Sequence, residues 1–222
     1  MKKIITIVGI ILLSGSLIIT PLLIKVKVDC KSQYVECPQQ ITDKLNLFNG
    51  KSLFSAKKGI RKILKPEYII SDYSLQFKIP NILRVELLVK KAVAAFTSSK
   101  SDTLDLVDNE GKVLSTVQNS ALPTISIEED LPTPGQSVSA ANLFALNLAS
   151  GIYQMYQVGQ SHIQDGSLLV ELPGQIRVIF PLDGDSEILL GSLRLIYSKI
   201  KEDGNLAGYS QIDLRFKNPV LR

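Results

Sequence analysis

Apolar residues recur with a helical period along one part of the chain and alternate with polar residues along the next. Helical spacing occupies residues 39–48 and 52–65, and a two-residue period follows in 73–79 and 83–90. A β-branched stretch around Val26 precedes both helical segments. This order predicts strand, helix, helix, strand, strand, with three strands in a small sheet and two helices covering one face.

Beyond a polar break at residues 98–101 the pattern becomes richer in strands. The predicted elements are a hairpin at 103–117, a helix at 140–158, strands at 167–172 and 175–180, a helix at 186–201 and a closing strand at 209–216. An acidic segment with prolines, 128–135, separates the hairpin from the first of these helices. The second part of the chain is therefore predicted as a mixed β domain with flanking helices.

Residues 4–24 form an apolar run of 21 residues without a charge. As a helix this run would be about 31 Å long, which matches a hydrocarbon core of about 30 Å. The sequence therefore predicts a transmembrane helix that is retained as an anchor. A cleaved secretory signal is the alternative, but no Ala-x-Ala-like site follows and the run exceeds the usual length of a signal core.

The residues around the apolar run bear on which side of the membrane the rest of the chain lies. Lysines flank the run almost evenly, so charge bias does not fix the topology. A short cytoplasmic stub followed by a long translocated domain is a common arrangement for a signal anchor. Cys30 and Cys37 have the spacing to close a small hairpin, and a disulfide between them would require an oxidising compartment. Two unpaired thiols are the alternative.

Composition narrows the chemistry that the chain can carry. One His and two Cys among 222 residues argue against zinc sites with several His and Cys ligands, haem c attachment and cysteine clusters. The net charge is +4, yet it is uneven, because a basic segment at 51–100 precedes an acidic one at 101–137. This pattern favours two modules of opposite charge over a uniform nucleic-acid-binding face.

Two sets of residues invite a catalytic interpretation. Ser55 and Lys58 satisfy the Ser-x-x-Lys pattern of penicillin-recognising enzymes, but no Lys-Thr-Gly accompanies them. A helix cap at Ser55 and a solvated Lys58 explain the same residues. His162 is the only imidazole in the chain and follows Ser161, so a triad would have to use it. A membrane-tethered serine hydrolase is therefore the weakest of the functions considered.

The second predicted helix carries a basic stripe that either forms its solvent face or contacts an anionic membrane surface. The residues of this stripe are Lys57, Lys58, Arg61, Lys62 and Lys65.

The closing strand lies at the end of the chain, so one of its edges has no sequence neighbour. Such an edge is either covered or able to pair with a strand of another chain. The residues of this predicted binding edge are Tyr209, Ser210, Gln211, Ile212, Asp213, Leu214, Arg215 and Phe216.

Several runs resemble the FtsQ/DivIB family of bacterial cell-division proteins. FKIPNILRVELLVKKAVAAF resembles the family's Pro-x-x-Leu-x-Val-x-Val run, although Ala92 stands where proline is usual. LVDNEGKVL and ALPTI resemble its Val-Asp-x-x-Gly-x-Val hairpin and Leu-Pro-hydrophobic step. EILLGSL resembles the start of its last helix, and IDLRF its final strand. The runs occur in the family's order, and together with the order of elements the resemblance covers nearly the whole chain.

This resemblance implies an α+β chain with an N-terminal transmembrane helix, a POTRA domain and a mixed β domain with flanking helices. The implied segments are a cytoplasmic stub at 1–3, the membrane helix at 4–24, the POTRA domain at 25–97 and the β domain at 98–222. The Cys30 and Cys37 pair and the very short cytoplasmic stub depart from the family pattern.

The function implied by the resemblance is that of a non-catalytic divisome scaffold at the septum of the bacterial cell membrane. Its partners would be FtsB/FtsL-type division proteins, recruited by β-strand addition at the C-terminal strand. No cofactor, metal, nucleic acid or small-molecule substrate is expected. A POTRA-bearing component of a transport or secretion assembly is the alternative, although such a component would carry tandem POTRA units or a membrane barrel.

Overall fold

The computed structural model describes residues 24–34, 36–202 and 208–222. Within these ranges the chain forms four helices and 12 strands, and it divides between Lys90 and Lys91 into two compact units. The architecture of the described residues is therefore α+β.

The first unit is a three-stranded sheet with two helices. Its strands are β1 (Lys27–Ser32), β2 (Ile70–Lys78) and β3 (Ile82–Val89), in the spatial order β1-β3-β2, with β1 parallel and β2 antiparallel to β3. Between β1 and β2 lie helices α1 (Gln39–Asn46) and α2 (Leu53–Leu64). The element order matches the sequence expectation for this region.

One apolar face of each helix packs on the small sheet. Ile41 of α1 and Ile60 of α2 are fully buried against Leu83 and Val85 of β3. The first turn of α2 is capped by Ser52, whose Oγ accepts a hydrogen bond from Ser55 N at 3.4 Å. The predicted cap at Ser55 was wrong by one turn, because the helix already begins at Leu53.

The boundary between the units differs from the predicted one. Residues 94–97, placed in the first domain by the sequence, belong to β4 (Ala94–Ser98), which pairs with strands of the second unit. All but one of its residues are buried, so it lacks the alternation that marks a half-exposed strand. The sequence predicts the boundary between residues 97 and 98, whereas the compact units of the structure divide between Lys90 and Lys91.

The second unit contains a nine-stranded sheet in the order β12-β11-β10-β9-β8-β7-β4-β5-β6. Its further strands are β5 (Leu104–Val107), β6 (Val113–Val117), β7 (Thr124–Ile127), β8 (Gln160–Gln164), β9 (Ser167–Leu172), β10 (Ile176–Pro181), β11 (Gln211–Asp213) and β12 (Val220–Leu221). Strands β4, β7 and β8 run parallel, as do β10 and β11, and the other neighbours are antiparallel.

Helices α3 (Ala140–Tyr156) and α4 (Ser186–Glu202) pack against one core with this sheet. Leu148 of α3 and Leu193 of α4 are fully buried in that core, together with Val178 and Phe180 of β10. The two helices therefore cover the face of the sheet to which these strand residues point. The other face of β8 to β11 carries exposed or half-buried polar residues such as His162, beside a buried carboxylate described below.

The predicted fold class has to be corrected in its membrane component. Residues 4–23 of the predicted transmembrane helix lie outside the described residues. Among the residues that are described, no helix has the length and apolar character needed to cross a bilayer. Ile24, the last residue of the predicted helix, is not helical, and its carbonyl accepts a hydrogen bond from Leu53 N at 2.9 Å.

Candidate functional site: the C-terminal edge of the large sheet

Strand β11 lies inside the large sheet and not at its edge. It pairs in parallel with β10, where Ile212 lies opposite Val178, and antiparallel with β12, where Ile212 lies opposite Leu221. The prediction that residues 209–216 form one open-edged strand is therefore wrong. The strand is only three residues long, and the same chain covers both of its sides.

The predicted edge residues consequently occupy different environments. Ile212, Asp213 and Leu214 are buried, whereas Arg215 and Phe216 are exposed beyond the end of the strand. The remaining three precede or open the strand: Tyr209 packs against the core, Ser210 is exposed and Gln211 is half-buried.

A turn at Asp213 ends the strand early. The Asp213 carboxylate accepts hydrogen bonds from the Arg215 backbone N at 3.1 Å, from its Nε at 3.0 Å and from a terminal guanidinium nitrogen at 2.7 Å. A carboxylate that bonds the N–H two residues ahead turns the backbone away from an extended path. The chain then folds back, so that β12 pairs alongside β11.

The same contacts set the charge state of Asp213. Hydrogen bonds from the Arg215 side chain lower the pKa of the Asp213 carboxyl, outweighing the effect of burial. Asp213 is only 1% exposed, so it is a buried charge whose oxygens are satisfied by one neighbour. The Asp213–Arg215 pair therefore stabilises the turn while the Asp213 carboxylate is charged.

Strand β12 is the outermost strand at this end of the sheet. Gln211 and Arg222 exchange two backbone hydrogen bonds, each 3.0 Å from N to O. Hydrogen-bonded and non-hydrogen-bonded residue pairs alternate along an antiparallel ladder. Gln211 and Arg222 form a hydrogen-bonded pair, so the next pair, Ile212 and Leu221, is a non-hydrogen-bonded one. Leu221 therefore directs its N–H and carbonyl away from β11. Leu221 thus offers an unpaired backbone donor and acceptor at the sheet's edge among the residues that the structure describes.

Apolar and basic side chains accompany this edge in sequence. Leu221 is 38% exposed and Phe216, in the connection before β12, is 55% exposed. The Arg215 guanidinium carbon lies 5.9 Å from the centre of the Phe216 ring. Exposed aromatic and arginine residues are the types most enriched where protein partners bind.

A polar groove adjoins β11 on the face of the sheet away from the buried core positions. It has a volume of about 330 Å³ and is lined by Glu171, Gln175, Arg177, Ser210 and Gln211. Arg177 lies opposite Glu171 on one side and Gln211 on the other. A larger groove of about 780 Å³ shares Arg177 and Glu171 and continues to His162.

The first unit holds the other two predicted features. Cys30 and Cys37 form a disulfide bond, with their Cα atoms 6.0 Å apart. Lys58, Arg61, Lys62 and Lys65 of the basic stripe are exposed and Lys57 is half-buried. Within the described residues none of these five cations forms an ion pair.

The residues considered for hydrolysis are not brought together into a catalytic arrangement. Ser55 and Lys58 lie exposed on α2, where Ser55 N donates to the capping serine. Ser161 is buried and its Oγ donates to the Thr124 carbonyl at 3.5 Å, whereas its neighbour His162 is exposed. No cluster of potential metal ligands occurs in the described ranges.

Comparison with known proteins gives no family assignment. No protein-family model matches the chain, and no curated protein matches it. The edge formed by β12 is the feature that sequence reasoning missed. Its signal was the Asn218–Pro219 dipeptide, which is typical of a turn and directly precedes β12.

Proposed function

We propose that this chain is a non-catalytic scaffold of the bacterial division apparatus that binds an extended segment of a partner protein by strand addition at its C-terminal strand. The partner is of the FtsB type, in complex with an FtsL-type protein. This proposal keeps the function implied by the sequence resemblance and moves the binding edge from β11 to β12.

One observation carries the proposal: β12 ends the nine-stranded sheet, and Leu221 presents its N–H and carbonyl outward. A partner strand laid along this edge would satisfy both groups and extend the sheet. Because β12 has only two residues, the backbone alone supplies little affinity. Side-chain contacts with Leu221, Phe216 and Arg215 would supply the remainder, since arginine and aromatic residues dominate binding energy at interfaces.

The proposed location is the outer surface of the bacterial cell membrane at the division septum. Two observations support it. The uncharged run of residues 4–24 is typical of membrane association. The Cys30–Cys37 disulfide is stable in an oxidising compartment such as the cell exterior or periplasm.

The variant Leu221→Pro tests the proposal. Proline removes the outward N–H of residue 221 and leaves the two bonds between Gln211 and Arg222 in place. We expect Leu221→Pro in the full-length protein to weaken binding of the FtsB-type partner from the same bacterium by tenfold or more, measured by titration calorimetry. The matched control Leu221→Ala keeps the backbone donor and should weaken binding less.

Equal binding by the wild type and Leu221→Pro, with unchanged circular dichroism, would contradict strand addition at β12. Labelling of Ser55 by a fluorophosphonate probe would instead support the hydrolase alternative. A Ser55→Ala variant that abolishes such labelling would identify the reacting residue.

A further inference from the structure

Strand β2 forms a second edge, in the first unit. It lies at the end of the three-stranded sheet and pairs only with β3 among the described residues. With nine residues it is longer than any other strand of the described structure. A long unpaired edge is a template for pairing with another strand.

The ladder shows which backbone groups of β2 are free. Lys27 of β1 lies opposite Ile82, and its N–H donates to the Asn81 carbonyl at 2.8 Å. In a parallel pair a residue bonds to the two neighbours of its partner, so Lys27 bonds to residues 81 and 83 and not to Ile82. Ile82 and every second residue after it therefore direct their backbone groups to the other side, toward β2. Their partners in β2 are Lys78, Gln76 and Ser74.

The backbone groups of Tyr73, Leu75 and Phe77 therefore point away from β3, to the open edge. An independent contact supports this assignment. Tyr73 N donates to the side chain of Asp72, at 2.8 Å from Oδ1, and not to the neighbouring strand. Three residues in alternation thus present a donor and an acceptor each.

This edge has few of the features that keep other edges from pairing. Residues 72–78 contain no proline, and their only charges lie at the two ends, Asp72 and Lys78. The opposite edge of the same sheet, β1, carries charges at Lys27, Asp29 and Lys31. Of the two edges, β2 is the one suited to accept a strand.

Two copies of β2 have complementary side chains when they are aligned antiparallel. Around Leu75 as a centre, Ser74 faces Gln76, Tyr73 faces Phe77, and Asp72 faces Lys78. We propose that the β2 strands of two copies of this chain pair antiparallel about a two-fold axis at Leu75, joining their small sheets into one. The proposal concerns a different unit and a different edge from the partner-binding proposal and does not depend on it.

Hydrogen bonding and side chains agree on this arrangement. Each residue with outward backbone groups lies opposite another such residue of the second copy: Tyr73 opposite Phe77, and Leu75 opposite Leu75. These pairs form about six hydrogen bonds across the axis. The half-buried side chains of Tyr73, Leu75 and Phe77 become neighbours on the face that packs on the core. Tyr73 N exchanges the Asp72 carboxylate for a backbone carbonyl, and Asp72 is then free to pair with Lys78 of the second copy.

The side chains also select the register. A pairing centred on Ser74 places Asp72 opposite Gln76, and it places Phe77 opposite Ser71, where the ladder has a register irregularity. Only the pairing centred on Leu75 matches opposite charges and places aromatic residues together. Self-pairing at this register is symmetric and closed, so it yields a dimer and no longer assembly.

Charge reversal tests both the pairing and its register. Sedimentation velocity of the full-length protein in a mild detergent should show a dimer that dissociates on dilution. Asp72→Lys and Lys78→Asp each place like charges opposite one another twice, so each should raise the dimer dissociation constant about tenfold. The double variant, Asp72→Lys with Lys78→Asp, restores opposite charges and should regain most of the loss.

A wild-type protein that is monomeric at every concentration would overturn the proposal. So would single variants that dimerise as well as the wild type, or a double variant that regains nothing. Unchanged circular dichroism of each variant shows that the fold is retained, as expected for exposed positions.

Spin labels give a second measurement that does not rely on charge. The described cysteines are joined in the disulfide, so Ser74→Cys and Gln76→Cys each offer one thiol for labelling. With Leu75 on the axis, residues 74 and 76 are equally far from it, and the two labelled dimers should give similar short distances. A clearly shorter distance for residue 74 alone would indicate the pairing centred on Ser74 and overturn the proposed register.

Discussion

At the scale of single residues, Asp213 decides where the last part of the chain turns. Alternation of apolar and polar residues continues through Arg215 and Phe216, so periodicity alone predicts one strand over residues 209–216. The carboxylate instead bonds Arg215 N and its guanidinium, and the strand ends at residue 213. A side chain that competes for the backbone overrides the periodic pattern here.

This contact predicts a pH dependence of stability. Because Arg215 lowers the pKa of Asp213, the folded state binds its proton less readily than the unfolded state does. The contribution of the Asp213 charge to the free energy of unfolding is therefore complete above the pKa of the unfolded state, about 4. It is lost as the pH falls through the lower pKa of the folded state. We expect Asp213→Asn to lower the free energy of unfolding by about 1–2 kcal/mol at pH 7 and by less at pH 3, in urea titrations.

The matched control is Asp183→Asn, because Asp183 is exposed. It should leave the free energy of unfolding nearly unchanged at pH 7. An Asp213→Asn protein whose deficit stays equal from pH 7 to pH 3 would show that the charge of the carboxylate does not stabilise the turn.

At the scale of elements, the four helices follow from the sequence because each has an apolar face of helical period. The strands are harder to predict. Strand β4 is almost wholly buried and shows no alternation, and β12 has only two residues. Strands β7 and β8 are short as well and lie together through parallel pairing between distant segments. Pairing of this kind depends on the whole sheet and leaves little trace in local sequence.

The close approach between α2 and the residue Phe48 supplies a prediction at this scale. A Cβ added at Gly59 would lie 2.1 Å from Cε1 of the Phe48 ring, so the ring would have to move. Overpacking costs about 1–3 kcal/mol, and alanine returns up to about 1 kcal/mol through its helix propensity. We expect Gly59→Ala to destabilise the protein by about 1 kcal/mol in thermal or urea unfolding.

Gly191 in α4 offers the matched substitution. An added Cβ there meets nothing within 4 Å, and the residue is exposed in a helix interior. Gly191→Ala should therefore stabilise the protein by about 0.5–1 kcal/mol. If both variants were stabilised alike, Phe48 would not be held against α2 as the structure has it.

At the scale of the whole molecule, the sequence predicts two modules, and the structure divides the described chain into two compact units. It also predicts an open strand edge at residues 209–216, whereas the structure covers β11 on both sides and places β12 at the outer edge. Whether an edge is open depends on which segments return to cover it, and β12 returns after a turn that hydrophobic periodicity does not reveal. The candidate site could thus be located to a region by sequence, but not to its residues.

The two proposals use one edge strand of each unit, β2 in the first and β12 in the second. A dimer formed through β2 carries two copies of the proposed partner-binding edge. A partner that is itself a dimer can bind both edges at once, and its affinity then rises because the second contact is intramolecular. The two edges belong to separate compact units with separate cores. We therefore expect their free energies to add, as those of independent sites do.

Combining the edge variants tests this independence. Leu221→Pro should weaken partner binding and leave the dimer dissociation constant unchanged, whereas Asp72→Lys should weaken the dimer and leave binding to a single soluble partner unchanged. The protein with both substitutions should show the two losses together, measured by calorimetry and sedimentation on the same samples. A Leu221→Pro protein that also fails to dimerise would show that the two edges are coupled, because a proline at β12 can affect β2 only through a change that spans both units.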